Sequence, residues 1–140
     1  MAAATDLHPR LDPSHLAVVR CPHGWQPPQL PAGSFAAVVA AEDETTVVVS
    51  EALLDDPAWA GVAEQVDHGW RRITFAGPLP WELVGFLADV AGRLAAAQIP
   101  FTSMSGFTTD HVLVRAAQAD LAVAVLSGEQ PPPQQPGTNP

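Results

Sequence analysis

The order of periodic patterns in the second half of the sequence is the feature that most restricts the fold. Trp70–Ala76 alternates apolar and polar side chains, which is typical of a strand with one face toward a core. The apolar residues of Pro80–Gln98 recur in steps of three and four, which predicts an amphipathic helix. Two more strands, Ile99–Ser105 and His111–Arg115, and a helix over Gln118–Leu126 follow. This order of strand, helix, strand, strand and helix predicts a split β-α-β arrangement, with helices on one face of an antiparallel sheet.

The first half of the sequence repeats the strand patterns but breaks where a helix would be expected. His15–Cys21 is an apolar run between two prolines and predicts a buried strand. Phe35–Ala40 and Thr45–Ser50 predict a β-hairpin because both are rich in β-formers. The intervening Cys21–Gly33 contains four prolines and two glycines, which exclude a regular helix, and residues 51–62 predict short helical turns. The chain is therefore expected to fold as two related α+β half-domains, of which the first is reduced.

Chain length and apolar content bear on the domain organisation. With 140 residues, of which 47% are hydrophobic, the chain can form one compact core or two closely packed half-size units. The start, rich in Ala, Pro and polar residues, and the final PPPQQPGTNP cannot bury apolar surface. We therefore predict disordered tails at residues 1–13 and 128–140, an N-terminal unit at 14–63 and a C-terminal unit at 64–127.

Charge and cysteine content exclude several classes of function. The formal net charge of −9 repels nucleic-acid phosphates and anionic lipid headgroups. No apolar window is long enough for a membrane-spanning helix, and the N-terminus lacks the pattern of a secretion signal. The single cysteine, Cys21, cannot form an internal disulfide or a thiolate zinc cluster. We expect a cytoplasmic protein without nucleic-acid or membrane partners and without a cofactor.

No set of residues has the spacing of a catalytic or metal site. Cys21 and His23 flank a proline without a third ligand nearby, and we interpret them as ordinary loop residues. The adjacent acids Glu42–Glu44 are interpreted as a solvated turn, where repulsion opposes acid–base pairing. Asp110 and His111 are the one candidate acid–base pair, but adjacent residues of a strand normally point to opposite faces. We predict neither catalytic residues nor a metal site, and hence a protein that is not an enzyme.

The segment GPLPWEL, from Gly77 to Leu83, joins a predicted strand to the long helix without Ser, Thr, Asp or Asn at the cap position. The first backbone amides of the helix therefore lack an obvious side-chain acceptor. Such amides, together with the helix dipole, favour a bound carboxylate. Water is the alternative partner, because Pro78 and Pro80 lack amide donors and Glu82 would repel an anion.

The segment SMSGFTTDHVLV, from Ser103 to Val114, places hydroxyl groups and one acid between two predicted strands. One interpretation is a hairpin turn in which polar side chains bond to local backbone groups, namely those of Ser105, Thr108, Thr109 and Asp110. In the split β-α-β fold, however, this turn can lie close to the start of the long helix. A zwitterionic ligand would then meet the Asp110 carboxylate and backbone donors together.

Three stretches carry a resemblance to a known family. They are LAVVRC near the start, TTVVVSE before the link, and GWRRITFAGPLPWELVGFLADVAGRLAAAQIPFTSMSGFTTDHVLV from Gly69 to Val114. From about His15 to Leu126 the chain resembles ACT-domain proteins of the two-unit type related to the arginine-sensing CASTOR proteins. The resemblance implies a tandem of ferredoxin-like units, pairing through sheet edges or helix faces as in a homodimer, and amino-acid binding at the interface between units.

The same resemblance implies ligand-binding positions. The family's contacts at the helix start and in the later turn fall on Leu83, Gly85, Phe86, Leu87, Gly106, Phe107 and Asp110. Gly85 would let a ligand approach the backbone closely, and Asp110 would pair with an α-ammonium group or a cationic side chain. Polar positions of the family pattern differ here, since Val84 and Gly106 replace hydroxyl residues and His111 replaces a tyrosine.

Two functions are expected for such a chain. The first is a regulatory or sensing module that binds an amino acid or similar small metabolite and changes its partner or oligomer preference. The alternative is a ligand-free module for protein–protein assembly, with apolar residues near Trp59, Trp70 and Trp81 in the interface. Neither function involves a reaction.

Overall fold

The computed structural model describes residues 4–27, 30–76 and 85–129. The strands in these ranges are β1 (Pro9–Pro22), β2 (Ala37–Ala40), β3 (Glu44–Ser50), β4 (Gln65–Phe75), β5 (Phe101–Ser105) and β6 (Asp110–Arg115). The helices are α1 (Phe86–Ala96) and α2 (Ala119–Leu126), with short 3₁₀ helices at Glu51–Asp55, Pro57–Trp59 and Ala116–Gln118. None of the helices in the described ranges combines the length and the apolar character needed to cross a membrane.

The chain divides into two compact units whose boundaries lie inside strands. The N-terminal unit is Pro13–Arg72, and the C-terminal unit combines Met1–Asp12 with Ile73–Pro140. Each of the long strands β1 and β4 therefore contributes residues to both units. The sequence suggests units at 14–63 and 64–127 instead, because a polar link is the usual place for a boundary and the pattern gives no sign that the strands continue past it.

Both units have the same strand order and the same hairpin register. The order is β2-β3-β1-β4 in the N-terminal unit and β5-β6-β4-β1 in the C-terminal unit. Both hairpins are antiparallel, with Ala40 opposite Thr45 in the first and Ser105 opposite Asp110 in the second. This arrangement confirms the predicted α+β fold class, in which the first unit contains no α-helix within its described residues.

Each unit has its own core. In the C-terminal unit, α1 and α2 pack apolar faces onto the sheet, and the buried residues include Ile73, Val90, Leu94, Val112 and Leu126. In the N-terminal unit, prolines exclude the corresponding helix, and Trp59 packs against the valines of β1 and β3 instead. The Trp59 ring also contacts Trp25, with ring centroids 5.0 Å apart.

Of the tail predicted at 1–13, residues 4–13 are described, and they are part of the fold. The Leu7 amide donates to the Leu126 carbonyl at 3.0 Å, and the Ala76 amide donates to the His8 carbonyl at 3.3 Å. Strand β1 then begins at Pro9, where it is an edge strand of the C-terminal unit. An edge strand tolerates proline because one side of its backbone needs no ladder partner. The second predicted tail is 128–140, and its residues 130–140 lie outside the described residues.

Candidate ligand-binding site

A glycine in the left-handed conformation sets the start of α1. Gly85 is the N-cap, with φ 86° and ψ 0°, a backbone conformation that L side chains rarely adopt. The helix that periodicity predicts from Pro80 therefore begins at Phe86, because a left-handed residue interrupts α-helical backbone. The predicted contact Leu83 lies outside the described residues.

The first turn of α1 presents backbone amides without a side-chain cap. No described side chain accepts a hydrogen bond from the N-terminal turn. The Asp89 amide makes the first intrahelical bond, to the Gly85 carbonyl at 2.9 Å. The amides of Phe86, Leu87 and Ala88 precede it and have no acceptor within the helix. The helix start thus has the donors and the dipole that suit a carboxylate.

Two of the predicted contact side chains at the helix start differ in environment. Phe86 is half-buried and packs edge-on against Phe75 of β4, with ring centroids 4.9 Å apart and planes at 88°. Leu87 is 37% exposed. The acidic side chain of this turn, Asp89, is held by Arg93, with Nε and Oδ1 2.9 Å apart. Phe86 therefore anchors the helix start to the sheet, and Leu87 is the side chain open to solvent.

The Asp110 carboxylate lies at the end of the β5–β6 hairpin and is half-buried. The Ser105 hydroxyl on the facing strand donates to Asp110 Oδ1 at 2.6 Å. The Thr109 hydroxyl donates to the Asp110 carbonyl at 3.5 Å. These are the local bonds expected of a hairpin turn. A carboxylate has about four acceptor sites, so the bond from Ser105 leaves capacity for a ligand ammonium.

The turn itself is closed by Gly106. Its amide donates to the Thr109 carbonyl at 2.9 Å. A Cβ at this position would lie 3.0 Å from His111 Nε2 and 3.2 Å from the Thr109 carbonyl oxygen. The glycine that replaces a hydroxyl residue of the family pattern is therefore explained by the packing of the His111 ring. Phe107 lies at the tip of the turn and is 84% exposed.

The predicted site residues thus form two groups within the C-terminal unit. The group at the start of α1 is Gly85, Phe86 and Leu87, and the group at the β5–β6 turn is Gly106, Phe107 and Asp110. The meeting of the two groups around one ligand stays a prediction.

Cys21 belongs to the core of the N-terminal unit and not to a loop. It is fully buried in β1 and packs with Val19 and Val47. Burial raises the pKa of the Cys21 thiol, and the nearby Glu64 carboxylate raises it further. A neutral buried thiol is a poor nucleophile. In the described ranges, no three His, Cys, Asp or Glu side chains cluster closely enough to hold a metal ion.

Sequence reasoning missed one charged cluster. Glu44, interpreted as part of a solvated turn, begins β3, and its carboxylate lies 3.1 Å from Arg20 Nε. The same nitrogen lies 3.6 Å from the Glu64 carboxylate. Because neighbouring side chains of a strand point to opposite faces, a buried Cys21 would have implied that Arg20 lies on the other face of the strand. The pairing of β1 with β3, which brings Glu44 near it, has no signal in the sequence.

The comparison with protein families concerns the C-terminal part of the chain. Residues 65–128 match a family model described as an ACT domain. The match runs from the first residue of β4 past the end of α2, so it contains both the α1 start and the β5–β6 turn. This stretch of the chain is therefore similar to ACT domains. No curated protein matches the chain.

Solved structures share the fold over most of the chain. A crystal structure of an Agobacterium tumefaciens protein is 23% identical, with a TM-score of 0.74, covering 91% of this chain and 92% of that chain. A Vibrio cholerae protein of unknown function, described as a possible transport protein, is 22% identical, with a TM-score of 0.68 and coverages of 89% and 90%. The regulatory subunit of aspartate kinase from Thermus thermophilus, in its ligand-free form, is 12% identical, with a TM-score of 0.58 and coverages of 90% and 97%. The chain thus shares its fold with these proteins, among them a regulatory subunit of aspartate kinase.

Proposed function

We propose that the chain is a regulatory module that binds a free amino acid at an interface of its ACT unit. The observation that supports this most strongly is that one ACT domain contains both an uncapped helix start after Gly85 and the Asp110 carboxylate. In the proposed complex, the amides of the first turn of α1 donate to the α-carboxylate, and Asp110 accepts from the α-ammonium group.

The proposed ligand acts by linking two elements. A zwitterion held by α1 at one end and by the β5–β6 turn at the other favours the conformation or oligomer in which both groups are correctly placed. The ratio of the ligand's affinities for the favoured and the competing state then determines how far the ligand shifts the equilibrium between them. This mechanism needs no reaction and no cofactor, and it matches the regulatory class of the structurally similar aspartate kinase subunit.

The test is a thermal-unfolding screen of the full chain against each common amino acid. A ligand at 100 times its Kd is expected to add about 2.7 kcal/mol to the free energy of unfolding. Any hit is then titrated calorimetrically against Asp110→Asn, which keeps the shape of the side chain and removes its charge. Loss of a buried charge pair is expected to weaken binding by about 2 to 5 kcal/mol.

Asp43→Asn is the matched control, because Asp43 is an exposed turn acid of the N-terminal unit. It removes the same charge and is expected to leave the affinity unchanged. Equal affinities of Asp110→Asn and the unmodified chain would remove Asp110 from the site. A screen without any hit at millimolar concentration would contradict the binding function.

A ligand-free assembly module is the second candidate, and one observation favours it. Strand β2 is at the edge of its sheet, and Val38 and Val39 are 44% and 58% exposed. Exposed apolar edges pair readily with other chains. The predicted tryptophan interface is corrected in part: Trp59 is only 4% exposed and belongs to the core, Trp70 is half-buried, and Trp81 lies outside the described residues.

A further inference from the structure

The first described residues of the chain, 4–8, lie against the helices of the C-terminal unit before β1 begins. We call them the N-terminal strap. The Leu7 amide donates to the Leu126 carbonyl at the end of α2, at 3.0 Å. Leu7 alone among these residues is partly buried, and it packs against the core of the unit. A terminal segment with so little buried surface is of the kind that opens and closes locally while the rest of the fold stays intact.

The N-terminal strap contains a strained turn. His8 has φ 54°, in the left-handed region that residues other than glycine adopt infrequently. The His8 amide donates to the Asp6 carboxylate at 2.7 Å, which stabilises the turn locally. Backbone of this kind costs free energy and persists only where surrounding contacts maintain it. Docking of the strap therefore depends on contacts with other elements.

Arg93 of α1 supplies such a contact and joins three parts of the unit. Its Nη1 donates to the Thr5 carbonyl of the strap at 2.5 Å and to the Leu126 carbonyl at 3.5 Å. Its Nε and Nη2 donate to the two carboxylate oxygens of Asp89, at 2.9 and 3.2 Å. The Arg93 side chain is only 13% exposed. An ordinary ion pair on a helix surface would leave the guanidinium in solvent, so Arg93 is instead a packed link between elements.

The position of Asp89 determines where Arg93 points. The guanidinium is planar, and its N–H bonds have fixed directions. Since the Asp89 carboxylate holds both Nε and Nη2, the direction of Nη1 toward the Thr5 carbonyl is fixed as well. Asp89 belongs to the first turn of α1, and its amide donates to the Gly85 carbonyl at 2.9 Å. A change in this first turn therefore displaces the donor that holds the strap.

We propose that the N-terminal strap is a switch whose docking is coupled, through Arg93, to the conformation of the first turn of α1. An ordered turn fixes Asp89, aligns Arg93 and keeps the strap docked, whereas a loosened turn releases it. Coupling between two elements is reciprocal, so docking of the strap also orders the turn. As a means of regulation the switch rests on the proposed function, because a ligand bound at the helix start would favour the docked strap. The coupling itself requires no ligand.

The first experiment measures hydrogen exchange of the Leu7 amide by NMR in the ¹⁵N-labelled full chain without ligand. Asp89→Asn keeps the shape of the side chain but offers Arg93 a single acceptor oxygen. It is expected to raise the opening constant of the Leu7 amide by about tenfold or more, since a hydrogen bond from a charged group is worth at least that.

Asp120→Asn is the matched control, because it removes the same charge from an exposed position in the first turn of α2. It is expected to leave exchange of the Leu7 amide unchanged. The amide of Val112, in the buried strand β6, reports global unfolding. Release of the strap is therefore distinguished from general destabilisation by an effect on Leu7 that is larger than the effect on Val112.

The second experiment displaces the strap and observes the helix. A Cβ at Gly128, just beyond α2, would collide with the Ala4 carbonyl. Gly128→Ala is therefore expected to displace the strap and to raise exchange of the Asp89 amide in the first turn of α1. A chain that starts at Pro9 lacks the strap and is expected to show the same change. Gly92→Ala is the control, since a Cβ there meets nothing within 4 Å, and it is expected not to raise exchange of the Asp89 amide.

Two outcomes would overturn the coupling. The first is exchange of the Leu7 amide that is the same in Asp89→Asn as in the unmodified chain. The second is an Asp89 amide that exchanges no faster in Gly128→Ala and in the chain that starts at Pro9. Neither experiment contains a ligand, so loss of the coupling would leave the proposed binding function standing. Equally, an amino-acid screen without any hit would leave the coupling standing.

Discussion

At the scale of single residues, the buried thiol of Cys21 makes stability depend on pH in a simple way. Burial raises its pKa in the folded chain, so the folded state keeps the proton at pH values where the unfolded chain has lost it. The free energy of unfolding is therefore expected to fall as the pH rises above about 8.5, by at most about 1.4 kcal/mol per pH unit. Urea denaturation at a series of pH values measures this slope.

The composition of the chain makes it simple to assign the alkaline pH dependence of the unfolding free energy to Cys21. Lysine and tyrosine are absent from the sequence, so few side chains other than Cys21 change charge in the alkaline range. Cys21→Ala is expected to have a nearly pH-independent free energy of unfolding between about pH 8.5 and 10.5. An unchanged slope in Cys21→Ala would show that another group is responsible.

Replacing two different glycines by alanine is expected to change the free energy of unfolding in opposite directions. A Cβ at Gly106 would crowd His111 Nε2 and the Thr109 carbonyl, so Gly106→Ala is expected to lower the free energy of unfolding by about 1 to 2 kcal/mol. A Cβ at Gly92, in the interior of α1, meets nothing within 4 Å. Gly92→Ala is expected to raise the free energy of unfolding by about 0.5 to 1 kcal/mol, because alanine is the better helix former. Equal effects of the two changes in urea denaturation would contradict the described turn.

At the scale of elements, the exposed edge strand β2 predicts self-association. Val39 is 58% exposed on an edge that carries no charged side chain in Ala37–Ala40. If assembly uses this edge, Val39→Lys is expected to lower the molar mass measured by light scattering to that of one chain, since an edge lysine opposes strand addition. Val66→Lys is the matched control, as it places the same charge on an exposed valine of β4. A mass that neither change affects would place any interface elsewhere.

The types of the elements were predictable because each has a strong local pattern. The alternation in β4 and the three- and four-residue steps in α1 depend on neighbouring residues alone, and both elements occur where the sequence indicates them. Element ends were less predictable. Helix α1 begins at Phe86 because of the left-handed Gly85, and β1 begins at Pro9 because distant residues supply its hydrogen bonds.

At the scale of the whole molecule, the residues before Pro13 are expected to contribute strongly to the stability of the C-terminal unit. They bond to Leu126 and Ala76, and Arg93 Nη1 donates to the Thr5 carbonyl at 2.5 Å. Leu7 and Leu11 pack against the core. A chain that starts at Pro13 is therefore expected to lose about 3 to 5 kcal/mol of unfolding free energy, from three hydrogen bonds and two leucines.

A chain that starts at Ala4 is the control for that truncation, because it keeps every one of those contacts. Urea denaturation of the two truncated chains makes the comparison, and the chain starting at Ala4 is expected to match the full chain. If both truncations were neutral, residues 4–12 would behave as the tail that their composition predicts.

In the candidate site too, features that depend on adjacent residues were predictable from the sequence, and contacts between distant residues were not. The sequence alone indicated the hydroxyl-rich turn before Asp110, since the turn depends on adjacent residues. It placed the uncapped helix start in Gly77–Leu83, outside the described residues, whereas the uncapped start of α1 follows Gly85. It gave no indication that the His111 ring lies against Gly106, nor that Glu44 and Glu64 hold Arg20 from opposite sides. Those contacts arise from strand pairing between residues that the sequence pattern does not connect.

The amino-acid sequence by itself determined the α+β class, the order of strands and helices, and the absence of an α-helix from the described residues of the proline-rich stretch, because periodicity and proline geometry act over a few residues. Only the tertiary structure decided that β1 and β4 contribute to both units, that Cys21 is buried, and that Arg20 lies near Glu44 and Glu64. Each of these depends on which strands become neighbours. Which strands become neighbours depends on the burial of apolar surface over the whole chain. A local sequence pattern contains no information about that burial.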